Sequence, residues 1–220
     1  MSRERFKNPK KAYSGSRRDG VRSELLAYYL IITDGKETEK NYLNGLRSSL
    51  PDKYRNRIVI KVKVKCTKDL LDVCLTEKDK NARFASMWIM LDRDEVKDFD
   101  KLIVEAEKNH IQVAWSNPCL EAWFLMYFGI AHYYNNSEQC ITEFKKKYKE
   151  LLGRDYEKNI DDIYSKLIQA GNEDEAIRIA RRSIKQGLKD NPKTNYSDMN
   201  PASMVYVLIE EIRNIISNMK

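Results

Sequence analysis

Two hydrophobic rhythms alternate over roughly the first 130 residues. Positions 25–33 (LLAYYLIIT) form an apolar run rich in aromatic and β-branched residues that stops at Asp34-Gly35, which predicts a buried strand. Tyr42, Leu43, Leu46 and Leu50 then recur at helical spacing, so a helix is expected from Thr38 to about Ser49, ended by Pro51. Ile58, Ile60, Val62 and Val64 alternate with Val59, Lys61, Lys63 and Lys65, the pattern of a strand with one polar face near a sheet edge. Residues 68–80 suit a short helix, 86–91 a strand buried on both faces, 98–108 a helix and 111–115 a fourth strand. A further helix is expected over 118–128, with Pro118 in its opening position. Beyond residue 135 the period is helical throughout, over 137–151, 157–170, 173–188 and 201–218, with Gly153, Gly171 and the stretch 187–200 as punctuation.

Strands that alternate with helices imply an α/β fold with a mostly parallel sheet and right-handed crossovers. The expected organisation is an arm over 1–24, an α/β core over 25–135 and a helical region over 136–220 packed on that core. No internal repeat or low-complexity run interrupts it.

Composition narrows the class. The 220 residues are 42% hydrophobic and 33% charged, the balance of a globular chain with a highly charged surface. The longest apolar runs, 25–32 and 122–128, fall far short of a bilayer span. The first follows a basic leader, but charged residues 34–40 come next without a small-residue cleavage site, which argues against secretion. Cys66, Cys74, Cys119 and Cys140 form no CxxC pair, as expected of free thiols in a reducing cytoplasm. His110 and His132 stand alone, which leaves a zinc site little to build on. Neither a phosphate-binding GxxxxGK[ST] loop nor a GxGxxG turn is present.

The net charge of +7 is unevenly placed: residues 1–24 carry eight basic and three acidic side chains, and so most of the excess. Such an arm reads either as a solvated tail or as a salt-sensitive contact to phosphates. A second basic feature, Arg178, Arg182, Lys185 and Lys189, falls on one helix face, while Ile177, Ala180, Ile184 and Leu188 line another. It reads either as the charged outer face of an amphipathic helix or as a nucleic-acid contact. Trp88, Trp115 and Trp123 are expected in or near the core.

The working edge of an open α/β sheet lies beyond the carboxyl ends of its strands. Here the first strand is followed by Thr33-Asp34-Gly35-Lys36-Glu37-Thr38-Glu39 and the third by Leu91-Asp92-Arg93-Asp94-Glu95. If those strands are neighbours, several carboxylates converge; like charges held together raise a pKa or require a cation. Mg²⁺ or Mn²⁺ suits such an oxygen set, and Asp92-x-Asp94 in extended chain points both acids to one side. The competing readings are helix caps and turn residues for Asp92 and Asp94, and dipole-favoured acids in a first helical turn for Glu37 and Glu39. Lys36 stands either near a substrate phosphate or as an ordinary loop lysine, and Asn117 as a helix cap.

The segment Leu30-Ile31-Ile32-Thr33-Asp34-Gly35-Lys36-Glu37-Thr38-Glu39-Lys40-Asn41-Tyr42 resembles the opening motif of the RloB-like family, a branch of the Toprim-type proteins. Leu91-Asp92-Arg93-Asp94 is similar to its second motif, Ser116-Asn117-Pro118-Cys119-Leu120-Glu121-Ala122-Trp123-Phe124-Leu125 to its third, and Asn200-Pro201-Ala202-Ser203-Met204-Val205 to its last. The resemblance implies a Toprim-like sheet in which Asp34, Asp92 and Asp94 hold Mg²⁺, with Glu39 and Glu121 as further catalytic candidates and Asp34 as ligand or general base. It also implies a cytoplasmic nuclease acting on RNA, transfer RNA included, or DNA, with an ATPase partner of ABC or AAA type in antiphage or abortive-infection systems. Two departures are visible: Asp34 stands where the family usually has Glu, one methylene shorter, and Leu120 replaces an aromatic. The alternative is a non-catalytic nucleic-acid-binding or regulatory subunit with a degraded site.

Overall fold

The computed structural model describes residues 28–33, 35, 37–62, 69–80, 84–94 and 96–218. The arm over 1–24, positions 25–27 of the expected first strand, Lys63, Val64, Lys65 and Cys66 lie outside these residues.

Strands β1 (Tyr28–Thr33), β2 (Ile58–Val62), β3 (Phe84–Asp92), β4 (Gln112–Asn117) and β5 (Ala202–Ser203) form one sheet in the order β2-β1-β3-β4-β5. The first four are parallel and β5 is antiparallel to β4. Helices α1 (Thr38–Ser49), α2 (Asp52–Arg55), α3 (Asp69–Lys80), α4 (Phe99–Lys108) and α5 (Leu120–Met126) alternate with the strands. Then α6 (Ser137–Leu152), α7 (Ile163–Ala170), α8 (Glu173–Asp190) and, after β5, α9 (Val205–Asn218) follow. The fold is α/β, mostly parallel and flanked by helices, and the lysine-bearing β2 lies at the edge.

The strand period of two divides the core. Ile31, Trp88, Met90 and Ala114 face one layer, where they meet Tyr42, Trp123, Phe124, Leu167, Ile179 and Leu208 from the flanking helices. Leu30, Ile32, Ile89, Leu91, Val113 and Trp115 face the other, with Leu70, Phe99 and Ile103. Both faces of the central strands are therefore dry, which is why β1 and β3 read as continuous apolar runs. All three tryptophans are buried; removing side chains of this size from water contributes on the order of 3 kcal/mol each.

Local chemistry sets several boundaries. Asn136 and Asn172 cap α6 and α8 by accepting hydrogen bonds from the Gln139 and Glu175 amides, and Gly153 ends α6 at φ 69°. Five expectations are corrected. The helix expected over 157–170 begins only at Ile163, because 153–162 is a loop tied to α1: Asn41 Nδ2 donates to the Asn159 and Ile160 carbonyls at 3.1 and 3.2 Å. Residues 202–203 form β5 before the last helix starts. Pro118 precedes the Cys119 N-cap rather than opening α5, and Asn117 caps nothing: its Nδ2 donates to the Ser197 carbonyl at 2.9 Å. Leu188 is exposed, so the apolar stripe of α8 ends at Ile184. Among the described residues no helix is long and apolar enough to cross a membrane.

Candidate functional site: a buried carboxylate cluster

Asp92 is the last residue of β3, in register with Ser116 of β4. Beyond it the chain stays close to β4, with the Arg93 amide donating to the Ser116 carbonyl at 2.9 Å. Arg93 turns the other way, its guanidinium 5.9 Å from the Phe99 ring centroid. Asp92 is buried, and Asp94, in the turn that follows the strand, is exposed.

Two helices start at this edge and bring acids in their first turns. Glu39 of α1 and Glu121 of α5 are buried, with 7% and 2% exposure. The Glu39 carboxylate lies against Gly35: a Cβ there would fall 1.8 Å from Glu39 Oε2. A side chain at 35 and this position of Glu39 exclude one another, which explains the glycine between strand and helix. Glu121 accepts a hydrogen bond from the Tyr156 hydroxyl at 2.9 Å.

These groups act on one another. Burial pushes the Asp92 pKa well above its ordinary value, and the charges of Glu39, Glu121 and Asp94 push it further. The backbone N–H of Leu120, at the start of α5, works the other way through its hydrogen bond to Asp92. Cys119, beside them, has its thiol pushed up by contact with the Cys140 thiol and by burial, so it is an inert thiol rather than a nucleophile.

The cluster receives a cation from the helical half. Lys158 is exposed on the loop 153–162, which is held to the start of α1 by the Thr38 hydroxyl donating to the Lys158 carbonyl at 3.1 Å. Desolvation works to lower the Lys158 pKa, but the charges of Glu121 and Asp92, then Cys119 and Glu39, outweigh it and raise it. Neither Tyr156 nor Lys158 was legible as a site residue. The signal that existed was the turn-rich stretch Gly153-Arg154-Asp155 through Asp161-Asp162, which marks a loop but not its destination.

Behind the site, a chain of hydrogen bonds fixes the two acid-bearing helices. Trp123 Nε1 donates to the Tyr42 hydroxyl at 2.9 Å, and the Tyr127 hydroxyl donates to Glu173 at 2.8 Å. Each phenol has one proton, so Tyr42 must donate to Tyr127 across their 3.0 Å contact. Tyr164 also donates to the buried Glu173 carboxylate, which Arg213 pairs with from α9. This network connects α1 and α5 to α7, α8 and α9, so the helical half sets the orientation of the helices that carry Glu39 and Glu121.

The structure thus gathers Asp92, Glu39 and Glu121, with Asp94 at their mouth. Asp34, Lys36 and Glu95 lie outside the described residues. Among the described residues no group of three or more His, Cys, Asp or Glu side chains is arranged to hold a metal ion. Arg178, Arg182, Lys185 and Lys189 line a separate groove between α8 and α9, which no residue of the carboxylate cluster lines.

The profile of the RloB-like protein family matches residues 29–212. The chain belongs to the RloB-like family. That match spans β1 to α9, so the family assignment covers both the carboxylate edge and the helical half that supports it. No curated protein and no solved structure matches this RloB-like chain.

Proposed function

We propose that this RloB-like protein is a metal-dependent phosphodiesterase that cleaves nucleic acid, RNA or DNA, at the carboxyl edge of its sheet. The observation that carries the reading is the gathering of Asp92, Glu39 and Glu121, each buried, from three different elements at one edge. Packing alone does not favour such an arrangement, because each acid disfavours the ionisation of Asp92. What supports a hard divalent cation is the chemistry of the set rather than its spacing: it is all carboxylate oxygen, and a positive charge would relieve the repulsion. Asp92, Asp94 and Asp34 would hold Mg²⁺ or Mn²⁺, which supplies charge neutralisation at the reacting phosphate.

The remaining roles belong to the chain. Glu121, hydrogen-bonded by Tyr156, and Glu39, set against Gly35, would accept or return a proton at the edge. Lys158 offers a positive charge to a phosphate oxygen at the mouth. The role in phage defence and the ATPase partner rest on the family resemblance, and co-purification with an ATPase tests them.

Total transfer RNA, messenger RNA and single- and double-stranded DNA are incubated with the purified protein in Mg²⁺, Mn²⁺ or EDTA. The expected result is metal-dependent cleavage that falls at least about 100-fold in Asp92→Asn and Asp94→Asn, with strand binding retained. Absence of cleavage of every substrate, with and without the ATPase partner, overturns the reading. It would leave the non-catalytic nucleic-acid-binding subunit, which the substitution of Asp34 for the family's Glu favours.

A further inference from the structure

The basic stripe of α8 has a second wall. Helix α9 runs beside it, and between them lies an open groove of about 480 Å³, in the size range of ligand sites. Its floor includes Ile177, and its lining carries six basic side chains against Asp174 and Glu210.

Ion pairs divide those six. Arg178 is held by Glu175, Arg181 by Glu210, and Arg213 by Glu173 and Asp174. Arg181 also lies over the Tyr206 ring at 5.6 Å. These arginines are fixed parts of the walls. Arg182, Lys185 and Lys189 are exposed and make no ion pair among the described residues. They are spaced three and four residues apart, so they lie along one line of α8 about 10 Å long. The charges of one strand of a duplex recur about every 3.4 Å of helix axis, so a line of this length can meet several consecutive phosphates.

We propose that the α8–α9 groove is a nucleic-acid-binding surface that holds the sugar-phosphate backbone of a strand, with Arg182, Lys185 and Lys189 as its phosphate contacts. A line of separate cations suits a ligand that repeats its charge along a chain. The choice of nucleic acid over an acidic peptide rests on the phosphodiesterase reading. The stripe, ambiguous on an isolated helix, becomes a track because α9 closes one side and the acids are consumed by the wall arginines.

The test measures binding apart from cleavage. Fluorescently labelled single strands of RNA and DNA are titrated in EDTA with the full chain and with the triple variant Arg182→Glu/Lys185→Glu/Lys189→Glu. The N-terminal arm is present in both. The expected result is affinity at least about tenfold weaker in the variant and a salt slope shallower by about 2, roughly 0.7 for each phosphate contact. The milder Lys185→Gln/Lys189→Gln protein, whose circular dichroism must match wild type, is expected to lose about 1.4 of the slope. Wild-type affinity and slope in these variants overturn the proposal, as does failure of the wild type to bind any strand. Equal affinity of the wild type for polyglutamate overturns the choice of phosphate backbone. Asp92→Asn serves as the separating control. A strand that binds through the groove but is never cleaved sinks the nuclease reading alone, whereas cleavage with groove-independent binding sinks the groove alone.

Discussion

Asp92→Asn should make the protein more stable while it inactivates the site. Asp92 is 9% exposed, and its ionised form is opposed first by burial and then by Glu39, Glu121 and Asp94. Asparagine keeps an oxygen for the Leu120 N–H and adds an amide that can donate to the neighbouring carboxylates. An unfolded aspartate ionises near about 3.9, so at pH 7 the folded state is penalised by at most about 4 kcal/mol, about 1.4 kcal/mol for each of roughly three pH units. Relaxation and water penetration reduce this, and a gain of about 1–2 kcal/mol is expected, of the size found when strained functional sites are relieved. For a chain of this length that raises Tm by about 2–8 °C. The direction with pH is fixed. A carboxyl whose pKa is raised on folding destabilises the fold as pH rises from the unfolded value through the folded one, whereas asparagine does not titrate. The two proteins should therefore coincide near about pH 4 and diverge toward pH 7, with the variant on top. Thermal unfolding by circular dichroism in EDTA across that range measures the gap. Repeating it with millimolar Mg²⁺ or Mn²⁺ should raise the wild type alone, because a ligand bound only by the native state stabilises it. A variant less stable than wild type at pH 7, or a gap that does not grow with pH, refutes the account of a mutually repelling cluster.

Two further predictions probe the support around the site. In Gly35→Ala the new Cβ meets the end of the Glu39 side chain rather than backbone, so stability should change by less than about 1 kcal/mol. Cleavage should nevertheless fall, because Glu39 must swing away; a fully active Gly35→Ala enzyme argues against a role for Glu39. Arg213→Ala leaves the buried Glu173 with only its tyrosine donors. Full burial of such an orphan costs about 3–5 kcal/mol, and solvent around the half-exposed Arg213 reduces this to about 1–3 kcal/mol, measurable from the urea midpoint.

The strand runs were legible because the two-faced burial of β1 and β3 writes itself into sequence as unbroken apolar stretches. The lysine-bearing edge strand was legible for the converse reason. Asp92, Asp94 and Glu39 were legible as candidates because acids that follow buried strands fall at a predictable edge, whereas Glu121 came from the motif resemblance. The 153–162 loop was not, since helical spacing of Ile163, Tyr164 and Leu167 extends plausibly backward through Ile160 until α1 is seen to hold the loop away. The two-residue β5 carried no pattern at all; the pairing of Ser203 with Ser116 defines it.

By itself, then, the chain determined its periodicities: which stretches are strands or helices, which faces are apolar, and which acids follow which strand. These depend on neighbours in sequence. Tertiary structure alone decided that α1 and α5 deliver their first-turn acids to Asp92, that Tyr156 and Lys158 cross from the helical half to meet them, and that α9 converts a charged helix face into a groove. Charge repulsion, burial and the closing of a groove are all set by distances between groups remote in sequence, and no local pattern encodes such distances.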